Sequence, residues 1–111
     1  MITVGTLLFC AAPIFSQVAL PQIPKQAIRY NRDIRPILSA NCFTCHGVDS
    51  VARKAGLRLD RPEFAYAIRN GHAIIARGKP QQSELLRRVI GQGGIMPPPS
   101  THKKLTAKEI T

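Results

Sequence analysis

The chain has 111 residues, enough for one small domain, with 44% apolar residues but no Trp and only 5% aromatics. Such a composition leaves little with which to close a large core, and nine Pro with eight Gly favour short helices and stiff turns over a sheet protein. Sixteen Lys and Arg against six Asp and Glu give a formal charge of +10. The basic residues are scattered, without a long run or interleaved aromatics, which argues against nucleic acid as a partner.

Val4 to Phe15, VGTLLFCAAPIF, is an almost unbroken apolar run. It is too short to span a bilayer comfortably and has the length of the apolar part of an export signal. Small residues between Ser16 and Ala19 offer a cleavage region, although no Lys or Arg precedes the run. Residues 1–19 are therefore expected to be a signal peptide or N-terminal hydrophobic segment, with no stable membrane span. Cys10 lies within it and is paired with nothing; Phe9 stands where a lipid-attachment signal needs a small residue. Residues 20–27 read as a proline-bearing linker and 28–111 as the domain.

Asp33 is expected to N-cap a first helix to about Ala40, with Pro36 in the first turn where its missing N–H costs nothing. Ile34, Ile37 and Leu38 make one apolar stripe leading into Cys42-Phe43-Thr44-Cys45-His46. Two cysteines separated by two residues and followed at once by histidine read as a c-type haem attachment site. Each thiol adds across one haem vinyl group, so both sulfurs must straddle one edge of the porphyrin. His46 then sits beneath the ring, where its imidazole can bind the iron from the proximal side. Gly47 should end this turn.

Gly56 to Asp60 alternates over too few residues for a strand assignment. Asp60 and Glu63 form the pattern of a capping box, and Pro62 falls in the first turn. This predicts a second helix from Arg61 to Arg69, with Phe64, Ala65 and Ile68 facing inward and Asn70-Gly71 closing it. His72 follows in a loop. A third helix is predicted from Gln81 to Ile90, burying Leu85, Leu86, Val89 and Ile90 and leaving Arg87 and Arg88 in solvent.

Met96 precedes three prolines, so it should lie on a stiff extended segment. Its thioether is a soft ligand suited to haem iron, and Met opposite His is a recurrent axial pair. Met96 is the expected distal ligand; a gap-filling methionine is the plain alternative, with His102, His72 or an open position in its place. Thr106 and Glu109 repeat the capping-box pattern, so a fourth helix should begin at Thr106 and reach the end of the chain almost at once.

These residues carry a resemblance. Tyr30 to Leu38 (YNRDIRPIL), Asn41 to Gly47 (NCFTCHG) and Lys54 to Asp60 (KAGLRLD) match, in order, the planctomycete-type cytochrome c domain. Gly78-Lys79-Pro80, Ser83-Glu84-Leu85 and Met96-Pro97-Pro98-Pro99 continue the pattern. The resemblance implies an all-α, class I cytochrome c-like helical domain around a covalent haem, its C-terminal helix truncated. It implies thioethers at Cys42 and Cys45, His46 as proximal and Met96 as distal ligand, export to the periplasm or cell envelope, and a place at the N-terminus of a larger protein.

The expected function is electron transfer by haem c. The partner would be another domain of the parent chain or a redox protein, an acidic docking surface suiting the positive charge. Two other readings stand beside it. One is a zinc-binding interaction module using Cys42, Cys45 and two of His46, His72 and His102. The other is an enzyme, either a haem with an open distal side or a dithiol oxidoreductase.

Overall fold

The computed structural model describes residues 26–111. The expected signal segment, Cys10 and most of the linker lie outside the described residues.

Helix begins one turn earlier than the sequence predicts. Tyr30–Ile34 forms a π-type turn, closed by the Arg35 N–H donating to the Tyr30 carbonyl, and runs directly into α1, Arg35–Asn41. Pro36 explains the wide turn: in a regular helix its ring would meet the carbonyl four residues back, and widening gives that carbonyl room. Asp33 consequently lies inside the first turn instead of capping it. Its carboxylate accepts from the Arg29 N–H at 2.7 Å and from Arg32, and these bonds hold its pKa down at about 2. Cys42 follows α1, its N–H donating to Leu38 at 2.8 Å, and α2 is the single turn Phe43–His46.

The second predicted helix stops short. α3 is only Pro62–Ala65: Asp60 pairs with Arg58 at 2.6 Å and leaves the helix start at Arg61 without a side-chain cap, and the predicted C-terminal part, Ile68 and Arg69, is taken up by a strand. Asn70 and Gly71 both take positive φ, 51° and 78°. That combination matches the twist of paired strands, so these two residues turn a hairpin. Its arms are β1, Ile68–Arg69, and β2, His72–Ala73, antiparallel with Ile68 opposite Ala73. Of Phe64, Ala65 and Ile68, Ala65 alone is buried; Ile68 is 74% exposed. The all-α expectation is thus corrected. Helical residues of every kind make up 42% of the described ones, and a small antiparallel sheet stands among them.

Beyond the hairpin a 3-10 turn, Pro80–Gln82, leads to α4, Glu84–Val89. Ser83 is buried between them, and its hydroxyl accepts the Ala76 N–H at 2.8 Å instead of capping α4. The Leu85 N–H donates to Ile74 at 3.0 Å, lacing α4 to the chain that leaves the hairpin. Leu85, Leu86 and Val89 are only half-buried and Ile90 is exposed, while Arg87 and Arg88, expected in solvent, fold back onto Glu84 at 2.8 Å and are half-buried themselves. The proline segment is not extended throughout as expected: the chain bends at Met96 and Pro97, is extended at Pro98, and enters a 3-10 turn at Pro99–Thr101. α5, Ala107–Ile110, opens with the expected box: Thr106 Oγ1 accepts from the Glu109 N–H at 3.3 Å, and Glu109 Oε2 accepts from the Thr106 N–H at 2.7 Å.

The core is thin. Leu59, Ala65 and Ile74 form its centre, with Cys42, Phe43, Leu57, Ile75 and Leu85 packed against them. Among the described residues no large side chain is fully enclosed. No helix among them is long and apolar enough to cross a membrane.

Candidate functional site

Cys42 stands where α1 gives way to α2, and Cys45 and His46 occupy the last two positions of α2. The turn is made by backbone bonds to the Cys42 carbonyl, from Cys45 at 3.1 Å and His46 at 2.8 Å. Gly47 ends it for a steric reason: a Cβ there would run into the carbonyl oxygen of Phe43. The chain from Val48 to Leu59 then folds back over the turn, with Lys54 N–H donating to Cys45 and Leu59 N–H to His46, both at 2.8 Å.

His46 is partly enclosed by this return loop. Its Nδ1 is buried and meets no partner in hydrogen-bond geometry. Burial pushes the imidazole below its ordinary pKa; nearby backbone at Leu57 and Lys54 offsets part of that, and the charge of Arg69 adds to it. The ring is held towards its neutral form, the one that binds metal. Both motif thiols are free and half-buried. Burial pushes the Cys42 thiol up, with a smaller opposing pull from the Lys103 ammonium.

A cavity of about 300 Å³ opens beside Cys42, with Ile34, Ile37, Leu38, Leu86 and Ile110 among its walls. It does not extend to Cys45, His46 or Met96. Met96 is half-buried in the segment after α4, its N–H donating to Arg88 at 3.0 Å and its peptide to Pro97 cis. His72 is exposed on β2, and His102 is exposed in the left-handed region. No three His, Cys, Asp or Glu side chains converge as a metal site among the described residues. The structure therefore does not gather the ligands of the zinc reading.

A haem c suits these residues. Two free thiols flank one turn, one of them lies against an apolar cavity, and a buried, unbonded imidazole nitrogen follows in the same turn. A flat apolar group would also complete a core that the side chains leave thin. Sequence reasoning missed the wall around His46, built from Arg53, Lys54, Leu57 and Leu59, and it missed Lys103. Asp49, whose carboxylate accepts from the Val51 N–H at 2.8 Å, was the available signal for the return loop. Nothing in the sequence marked Lys103, which reaches the Ala40 carbonyl at 2.7 Å from 63 residues away.

No curated protein and no solved structure matches the chain. The family model described as planctomycete cytochrome C matches residues 42–100, from the first motif thiol through the proline segment. That span is more than half the chain, and the protein belongs to the planctomycete cytochrome C family as a cytochrome c-type haem-binding module.

Proposed function

We propose that the protein is an electron carrier in which Cys42 and Cys45 hold haem c through thioethers, His46 binds the iron and Met96 completes its coordination. The observation that carries this reading is the turn from Cys42 to His46, which presents two free thiols and a neutral-leaning imidazole together. When bound, the haem supplies an iron that gains and gives up one electron. The chain's part is to fix the group at one edge, to hold the proximal imidazole, and to keep water from one face through Ile37, Leu38 and Leu86. Pro97, Pro98 and Pro99 stiffen the backbone next to Met96, which suits a ligand that must not rearrange as charge changes. Among the described residues the candidates for a distal acid or base are His72 and His102, both exposed, and we favour electron transfer over haem enzymology. Attachment of this kind takes place outside the cytoplasmic membrane, and we assign the protein to the periplasm or cell envelope.

The test is an absorption spectrum of the chain co-expressed with haem-attachment machinery, then denatured in pyridine. Haem that stays with the denatured chain, with the band of two thioether links, is expected; a colourless chain carrying one zinc would overturn the reading. Met96→Ala should then shift the oxidised spectrum, and an unchanged spectrum would remove Met96 from the iron.

The basic surface suits an acidic redox partner, either a separate protein or another domain of a longer chain. Electron exchange with such a partner should slow as salt rises. A rate flat in ionic strength would reject charge steering.

A further inference from the structure

The carbonyls of Cys45, His46, Gly47 and Val48 are consecutive, and each accepts one bond from the return loop. Lys54 N–H meets Cys45 and Leu59 N–H meets His46, both at 2.8 Å. The other two bonds come from one side chain: Arg53 Nε donates to Gly47 and Nη2 to Val48, each at 3.0 Å. We propose that Arg53 is the positioning residue of the proximal imidazole. The inference rests on His46 as iron ligand and concerns what aims it.

His46 has no side chain to aim it. A ligating histidine is ordinarily aimed by a hydrogen bond from its second ring nitrogen, which fixes both tautomer and ring plane. Here no side chain pairs with the buried Nδ1, and the groups that face the ring are backbone of Leu57 and Lys54. Ring direction must then come from backbone on both sides, the turn that carries the ring and the loop that faces it. α2 is a single turn, too short to hold itself, since the end carbonyls of a helix have no partner within it.

The return loop supplies those partners, and Arg53 is its hinge pin. Asp49 reverses the chain by accepting the N–H groups of Val51 at 2.8 Å and Ala52 at 3.3 Å, which brings Arg53 back onto Gly47. The planar guanidinium spans two successive carbonyls in a way that a single ammonium point cannot. Lys54, the next residue, is thereby placed to bond Cys45. Downstream, Ala55 and Gly56 turn with positive φ, and Arg69 ties this turn to the hairpin through the Ala55 carbonyl at 2.7 Å. The clamp is thus anchored at its far end by a separate element.

Arg53→Lys, which keeps the charge, and Arg53→Gln, which removes it, test this in the full chain. In both, amide-exchange protection of Lys54 and Leu59 should fall about tenfold or more, as the two charge-assisted bonds are lost. Protection of Arg87 and Ile90 at α4 should not change. With haem attached, the electron paramagnetic resonance g-values of the ferric form should move in Arg53→Lys as well as Arg53→Gln, because the imidazole plane is no longer held. Arg53→Lys with wild-type protection and g-values would overturn the proposal. So would a uniform loss of protection that includes α4, which would make Arg53 a general support of the fold. Lost loop protection with unchanged g-values sinks this inference alone. A wild-type chain that takes up no haem sinks the functional reading and this inference with it.

Discussion

The segment from Cys42 to Leu59 and the segment from Ile95 to Thr111 are of similar length, and each carries one proposed iron ligand. They are built on opposite plans. The first is closed by hydrogen bonds to its own carbonyls, with Gly47 pressed against Phe43 and Arg53 clamping the two carbonyls that follow His46. The second closes only short local turns within itself, at Pro98–His102 and Thr106–Thr111, while Met96 N–H to Arg88 and Lys103 to Ala40 tie it to the rest of the chain. Three prolines stiffen its start by fixing φ at Pro97, Pro98 and Pro99. One half is a loop folded back onto its own turn, and the other is a series of local turns, each closed within four residues.

That contrast can be tested on stability. Gly47→Ala should have the largest effect, about 2 kcal/mol of destabilisation in a denaturant titration, because the added methyl meets backbone that cannot swing away. A variant as stable as wild type would mean that the proximal turn is looser than its bonds suggest. Thr106→Ala should cost about 1 kcal/mol through the lost cap of α5, and it should leave the exchange protection of Lys54 and Leu59 untouched. Protection lost in both segments together would erase the distinction between them.

Acid should act more weakly still, and on the second segment. Bonds from the Thr106 N–H and hydroxyl hold Glu109 below the usual carboxylate pKa. A carboxylate depressed in this way stabilises the fold above its unfolded pKa, and the contribution is lost as pH falls through the folded value. Protection of the Ile110 and Thr111 amides should therefore drop in acid while that of Leu59 holds. Equal loss at both places would place Glu109 outside the cause.

The family was legible in the Cys42–His46 motif, because c-type haem attachment needs fixed residues at fixed spacing in a continuous stretch. The box at Thr106 and the apolar face of α4 were legible for similar reasons. The fold class was not. Asn70-Gly71 serves a helix end and a hairpin turn equally well in sequence, and only the pairing of Ile68 with Ala73 decides between them. Asp60 likewise had two suitors, the α3 amides and the Arg58 side chain, and it took the charged one. The surroundings of His46 were hidden because carbonyl acceptors leave no mark in the sequence of side chains.

The ion pairs have a consequence for the outside of the molecule. Asp33, Asp60, Glu63 and Glu84 each pair with an arginine within four residues, while Asp49 and Glu109 cap their own turns. These are all six acidic side chains of the chain. None bridges distant elements, so no acid group staples the tertiary structure together. Seen from a distance, each negative charge is folded into a small dipole with its neighbour, and the field that reaches an approaching molecule is that of the surplus cations. A docking carboxylate would compete with a neighbouring acid at Arg32, Arg58, Arg61, Arg87 and Arg88, and would be drawn instead to the cations left over.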